Sequence, residues 1–148
     1  MATIKSYTDI EQSKVLSKIL PLESADMVSP FRHTKNDEYI PGYVVSRNYI
    51  EVYNEMMKLP GMEKKDGCQL IQPTWSLAAL FNVLPLIIGD VFSENTLRLR
   101  IDKSETHFNV WYENLYSEMV EEGFDIIKNN AVDACVEMIL KLHELNLL

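Results

Sequence analysis

Residues 130–148, with the sequence NAVDACVEMILKLHELNLL, carry the pattern that most restricts the fold of this chain. Two adjacent apolar rows run along this segment at helical spacing, the first formed by Ala131, Cys135, Met138, Leu142 and Leu145 and the second by Val132, Val136 and Ile139. The polar side chains share one narrow face. Because apolar residues cover most of the circumference, we predict a central core helix that is capped at its start by Asn130.

Two further helices are predicted from start and stop signals. Thr8 and Glu11 have the spacing of a capping box, and the helix that they open is expected to run to about Leu20, where Pro21 ends it. Residues 74–84 are almost wholly apolar, and Thr74 can cap them, so this segment is predicted to be a second buried helix.

Strand patterns lie between these two buried helices. Residues 96–101 and 107–112 alternate between apolar and polar side chains and predict an antiparallel hairpin, and residues 124–127 predict a third strand. Residues 86–92 fit either a short strand or a turn. The predicted fold class is therefore α+β, with a small antiparallel sheet of two to three strands packed against two buried helices, plus an N-terminal helix.

The remaining segments are predicted mainly as connections. Residues 22–41 are mixed and polar and are expected to form a long surface loop. Residues 43–45 could form a short strand that leads into a helix ending near Lys58, and residues 62–72 read as a charged loop. A length of 148 residues without repeats or linkers fits a single domain spanning residues 1–148.

The acidic composition restricts the classes of partner. The formal net charge is -8, whereas nucleic acids and anionic membranes are bound through an excess of Lys and Arg, so neither partner is expected. The longest apolar run, residues 75–88, is interrupted and too short to span a bilayer. The N-terminal segment also lacks a signal-peptide pattern, so we expect a cytoplasmic location.

Motifs for common catalytic chemistries and cofactors do not occur in the sequence. There is no phosphate-binding glycine loop, no nucleophile elbow and no zinc-protease motif, and neither Cys68 nor Cys135 has a partner at metal-binding spacing. We therefore expect no cofactor, no metal and no catalytic residues. An enzyme with an unfamiliar site is a further alternative. A deep pocket containing at least two of His33, His107 and His143, or a carboxylate pair with perturbed pKa, would favour it.

The outward face of the predicted hairpin is the candidate site for a protein contact. It would present five side chains on one side of the paired strands: Arg98, Arg100, His107, Asn109 and Trp111. Arginine and tryptophan are enriched at interface hot spots, and an arginine beside a tryptophan can stack on it. The competing interpretation is that another part of the same fold covers Trp111 and that the arginines are solvated neighbours.

Three segments carry a resemblance to other proteins: EQSKVLSKILPLESADM (residues 11–27), PTWSLAALFNVLP (residues 73–85) and NNAVDACVEMILKLHELNLL (residues 129–148). Together they resemble a group of short, uncharacterised proteins of gut Bacteroides-type bacteria, often encoded on prophages or other mobile elements. Members of the group often have proline where this chain has Ala131. The resemblance implies a bacterial, cytoplasmic, non-enzymatic accessory protein, and it carries over no site residues.

These observations favour a small accessory protein that acts through protein–protein contacts. The alternative is an antitoxin-like protein, or a nuclease inhibitor that imitates the charge of DNA. The order of three strands followed by a helix is loosely similar to HicB-type antitoxins, which is an analogy of fold alone. The sequence leaves open the identity of the partner and the oligomeric state.

Overall fold

The computed structural model describes residues 5–33, 39–41, 44–48 and 69–148. The chain divides into two compact units, which we call the N-terminal unit (Asp9–Ser76) and the C-terminal unit (Leu77–Leu148 with the described part of Met1–Thr8). Helices and antiparallel sheets occur together, so the predicted α+β class is confirmed. That the chain forms one domain stays a prediction. None of the described helices combines the length and the hydropathy of a membrane-spanning segment.

Within its described residues, the N-terminal unit contains the helix α1 (Ile10–Leu16), the 3-10 turn Leu22–Ser24 and a four-stranded antiparallel sheet formed by β1 (Met27–His33), β2 (Tyr39–Pro41), β3 (Val45–Ser46) and β4 (Gln69–Thr74). β1 is the central strand, since it pairs with β4 along most of its length and with β2 and β3 at its two ends. α1 packs on β4.

The prediction of a loop over residues 22–41 is wrong for β1 and β2. Pro30 lies in the middle of β1, and a proline inside a strand argues against a central position because it lacks an N–H donor. On one edge of β1, Ser29 and Pro30 pair with Gln72 and Ile71 of β4. On the other edge, among the described residues, they lie between the segment that pairs with β3 and the segment that pairs with β2. Residues 34–38 lie outside the described part, as does most of the predicted helix near Lys58. Residues 69–72, predicted as loop, belong to β4.

The predicted caps of the first two helices are each misplaced. Asp9, not Thr8, caps α1, and Gln12, not Glu11, returns the hydrogen bond to the cap. Both pairs satisfy the spacing of a capping box, so the sequence alone does not select between them. Thr74 belongs to β4, where its hydroxyl lies 2.8 Å from that of Ser29 in the interior of the sheet. α1 also ends at Leu16 rather than near Leu20.

The C-terminal unit contains two helices and a second antiparallel sheet: α2 (Leu77–Val83), β5 (Ile87–Ile88), β6 (Leu97–Lys103), β7 (Phe108–Asn114), β8 (Val120–Lys128) and α3 (Ala131–Glu144). The strand order is β5-β6-β7-β8, so the predicted hairpin and third strand are confirmed. The sheet has four strands rather than two to three. A strand of two residues such as β5 is too short to show the alternation that would identify it.

One face of this second sheet packs against α3, whose apolar side chains are largely buried. The Asn130 side chain accepts a hydrogen bond from the Asp133 N–H at 2.8 Å, which confirms the predicted cap. Val110 and Tyr112 of β7 are fully buried. The rings of Tyr112 and of Phe124 in β8 pack edge to face, with their centroids 6.0 Å apart. α3 packs on both of these strands, and α2 packs on α3. The opposite face of the sheet does not pack on α3, and it carries partly exposed residues such as Ile87, Val120 and Ile127.

Candidate functional site

The strand register defines which residues lie on the face of the second sheet opposite α3, which we call the outer face. Directly paired residues of antiparallel strands project to the same side of a sheet. The pairs are Ile87 with Arg98, Arg98 with Glu113, Glu113 with Val120, Arg100 with Trp111, Trp111 with Asp125, Asp102 with Asn109 and Asn109 with Ile127. Four of the five predicted site residues thus share one face, namely Arg98, Arg100, Asn109 and Trp111.

Glu113 is the centre of the hydrogen-bond network on the outer face. Its Oε1 accepts from Nε of Arg98 and from Nε of Arg100, each at 2.7 Å. Its Oε2 accepts from the indole N–H of Trp111 at 3.3 Å. Because Glu113 is only 7% exposed, the carboxylate lies beneath the three side chains that bind it. The network fixes the orientation of both arginines and of the tryptophan.

The electrostatics of this network are those of a structural ion-pair cluster. Hydrogen bonds from the Arg100 and Arg98 guanidinium groups lower the pKa of Glu113 below its ordinary value, although desolvation acts in the opposite direction. The hydrogen bond to Glu113 in turn raises the pKa of Arg98. A carboxylate with a lowered pKa is a poor general acid, so Glu113 is not suited to donate a proton near neutral pH.

The two arginines differ in how far their donors are used. Arg98 is held twice, because its Nη2 also donates to Glu118 at 3.1 Å, and its side chain is 25% exposed. Arg100 is held through Nε alone, and its side chain is 47% exposed. Nη1 and Nη2 of Arg100 meet no acceptor within the described part of the chain. Arg98 is therefore held more firmly than Arg100, which keeps donors that no described residue uses.

The other two predicted site residues contribute little to this network. His107 lies in the turn between β6 and β7, where its Nδ1 is within 3.0 Å of the hydroxyls of Ser104 and Thr106. This turn is at the end of the hairpin away from Arg98. Asn109 lies on the outer face, but its Oδ1 is buried and has no hydrogen-bond partner among the described residues.

The histidine and cysteine side chains that the structure describes lie at separate places in the fold. His107 lies in the hairpin turn and His143 is exposed near the end of α3, and no hydrogen bond joins them. The side chain of His33 and all of Cys68 lie outside the described part. Over the described residues, no group of three or more His, Cys, Asp or Glu side chains is arranged to hold a metal ion. Cys135 is fully buried, and burial raises the pKa of its thiol to about 12.

Sequence reasoning missed three residues that shape the outer face: Glu113, Asp125 and Ile127. Glu113 continues the alternation that selects Asn109 and Trp111, so the signal was present two residues beyond Trp111. Asp125 and Ile127 depend on the pairing of β8 with β7, which is shifted by an irregularity between Trp111 and Glu113. Gly123 inside the strand is a weak local signal of such an irregularity, but it does not specify the size of the shift.

Comparison with protein-family models, with curated proteins and with solved structures finds no match to this chain. The function is therefore argued from the chemistry and geometry of the outer face.

Proposed function

We propose that this protein acts through protein–protein contacts made by the outer face of its second sheet. The observation that carries the proposal is the Glu113 network, which holds Arg98, Arg100 and Trp111 in fixed orientations. Side chains that are ordered before binding lose less conformational entropy when a partner arrives. Arginine and tryptophan are also the types most often found at the energetic centres of interfaces.

Apolar residues around the network support an interface. Ile87, Val120 and Ile127 are 39%, 50% and 54% exposed, and the register places all three on the outer face. Exposed branched aliphatic side chains beside a tryptophan offer area that a partner can remove from water. Charged residues among them provide the polar groups that orient a partner.

The resemblance to mobile-element proteins of Bacteroides-type bacteria is part of the same proposal. We expect an accessory protein in the bacterial cytoplasm, without an enzymatic activity of its own. The net charge of -8 supports a protein partner over a nucleic acid or an anionic membrane.

A matched pair of isoleucine variants tests the proposal. Ile127→Asp places a charge on the outer face. Ile101→Asp is the control, because it places the same charge at a residue of β6 that is 42% exposed and projects to the opposite side of the sheet. Tagged wild-type and variant chains are expressed in cells that carry the gene, and bound proteins are quantified by mass spectrometry with and without nuclease. We expect Ile127→Asp to lose a stoichiometric protein partner that Ile101→Asp retains.

Three results would count against the proposal. Equal recovery by the two variants would show that the outer face is not the contact surface. Absence of any partner of the wild-type chain, the untagged native copy of the chain included, would leave the proposed interaction without support. Recovery that requires intact nucleic acid would contradict the charge argument. Circular dichroism of both variants checks that each is folded.

The second candidate is an antitoxin-like or nuclease-inhibiting protein. The order β6, β7, β8 and α3 supports it, because three antiparallel strands are followed by a helix. Imitation of DNA has weaker support, since Glu113, Asp133 and Glu137 each pair with a cation rather than joining an acidic stripe. Salt-sensitive inhibition of a nuclease from the same cells by the purified chain would favour this candidate.

A further inference from the structure

One row of the outer face places a cation, an aromatic ring and an anion on three neighbouring strands. Arg100 of β6 is paired with Trp111 of β7, and Trp111 is paired with Asp125 of β8. Because paired residues project to the same side, these side chains form a line across the sheet, which we call the middle row. The row has opposite charges at its two ends and Trp111 at its centre.

Both ends of the middle row keep unused hydrogen-bonding groups. Nε of Arg100 donates to Glu113, which leaves Nη1 and Nη2 directed at no acceptor among the described residues. Asp125 is exposed, and no described residue donates a hydrogen bond to its carboxylate or forms an ion pair with it. Two Nη groups of one guanidinium match the two oxygens of a carboxylate, so each end of the row is suited to bind the other.

Two copies of the chain can meet through their outer faces about a two-fold axis that lies between the two sheets, parallel to β7 and above Trp111. This axis exchanges the two ends of the middle row. It brings Arg100 of one copy opposite Asp125 of the other, and it does so twice, while the two Trp111 rings face each other. An interface between identical chains with two-fold symmetry requires such self-complementarity. Facing sheets pack about 10 Å apart, a gap that an arginine and an aspartate side chain can bridge together.

Sheet packing explains why one matched row is sufficient. Sheets that pack face to face have their strands rotated by about 30° relative to each other. Residues of the two copies therefore face each other most directly in the row that lies at the two-fold axis. Ile127 and Val120 lie on either side of the middle row along β8 and would lose exposed area on association. Their burial adds an apolar contribution to the two ion pairs.

We infer that the partner bound by the outer face is a second copy of this chain, joined through the middle row about a two-fold axis at Trp111. The inference rests on the proposed function, because it assigns the occupant of the same surface. The face formed by β6, β7 and β8 measures roughly 15 Å by 24 Å from standard strand spacings, which is small for an interface. The dimer is therefore expected to be weak, with a Kd in the micromolar range.

Net charge acts against association over longer distances. Each copy carries a net charge of -8, so two copies repel each other at low ionic strength. At about 0.15 M salt the screening length is about 8 Å, which suppresses this repulsion more than it weakens ion pairs in direct contact. The dimer is best measured at that ionic strength.

Sedimentation velocity of the purified full-length chain, from about 1 to about 300 µM, tests the inference across the micromolar range. The wild-type chain is expected to pass from monomer to dimer. Asp125→Arg should weaken the dimer roughly tenfold or more, because it places guanidinium groups opposite each other. Glu144→Arg is the matched control, since it changes the charge equally at an exposed position on α3 and should leave the dimer unchanged.

Mixing two variants gives a second, independent readout. An Arg100→Asp chain has two carboxylates in the middle row, and an Asp125→Arg chain has two guanidinium groups. Their mixture should therefore form a heterodimer that is tighter than the self-association of either variant. Arg100→Asp places a carboxylate beside Glu113, so circular dichroism checks its folding. If the Arg100→Asp chain does not fold, an Arg100→Gln chain is used in its place. Its mixture with the Asp125→Arg chain should form one ion pair, between Asp125 of the first chain and Arg100 of the second.

The outcomes separate this inference from the proposed function. A wild-type chain that stays monomeric over the whole range overturns the inference, as does a dimer with the same Kd in Asp125→Arg and Glu144→Arg. Either result leaves the outer face to a partner of another sequence, which the Ile127→Asp comparison tests. If Ile127→Asp retains its partners, the proposed function itself fails.

Discussion

At the scale of single residues, two opposing effects act on Glu113. Burial disfavours the charged carboxylate, whereas hydrogen bonds from Arg100, Arg98 and Trp111 favour it, and the net result is a lowered pKa. Glu113 is therefore charged at neutral pH and holds both guanidinium groups on the outer face. A buried charge is tolerated in a fold only when such partners are present.

Glu113→Gln should lower the free energy of unfolding at neutral pH, because both arginines lose their charged acceptor. A lowered carboxyl pKa stabilises the fold above the ordinary pKa of 4.5 and ceases to do so as the pH falls through the folded value. The difference between wild type and variant should therefore shrink in acid. Urea unfolding at neutral and acidic pH measures it. Glu118→Gln, at an exposed partner of Arg98, is the control and should have a smaller effect.

At the scale of secondary structure elements, α3 and β8 each depend on one local feature. Asn130 satisfies an N–H group at the start of α3 that has no partner inside the helix. Gly123 in β8 has a φ of +82°, which lies in the region that side chains rarely adopt. It lies in the irregular segment of β8, before the residues that pair with Trp111 and Asn109.

Asn130→Ala should reduce the free energy of unfolding by about 1 kcal/mol, since the cap of α3 is lost and the apolar face of the helix is unchanged. Denaturant unfolding measures the difference. Asn129→Ala, at the adjacent exposed residue, should have little effect. An equal loss in the two variants would contradict the assignment of the cap.

Gly123→Ala should cost about 1 kcal/mol or more because of backbone strain alone. An added Cβ would meet only the end of the Lys141 side chain, at 3.9 Å, so lack of space is not the cause. The neighbouring exposed residue provides the control variant Glu122→Ala. A Gly123→Ala chain as stable as wild type would show that the irregular segment adopts another backbone conformation without cost.

At the scale of the whole molecule, the buried core of the C-terminal unit sets an upper pH limit for stability. Tyr112 and Cys135 are both fully buried. Desolvation raises the pKa of Cys135 from 9.0 to about 12, and it also raises the pKa of Tyr112, to which the nearby Cys135 contributes. The unfolded chain therefore loses these protons at lower pH than the folded chain.

Stability should fall as the pH rises above about 9, because ionisation of both groups favours the unfolded state. For Cys135 the slope can reach about 1.4 kcal/mol per pH unit. Urea unfolding between about pH 7 and about pH 11 measures the slope, and Cys135→Ala should reduce it. A slope that is the same in the variant would show that the thiol is accessible to water.

Local patterns by themselves determined several features of this protein. Helical periodicity and the Asn130 cap identified α3, alternation identified β6 and β7, and together they predicted the α+β class. Alternation also placed Arg98, Arg100 and Trp111 on one face. These features follow from the sequence because each depends on residues within a few positions of one another.

Only the tertiary structure decided the features that depend on pairing between distant segments. β1 is a central strand in spite of Pro30 because β4, about forty residues away in the sequence, pairs along it. Glu113 binds both Arg98 and Arg100 because the hairpin register sets their strands side by side. The middle row exists because the shifted register of β8 places Asp125 opposite Trp111. Register between strands is set by packing and turn geometry over the whole sheet, so no short stretch of sequence specifies it.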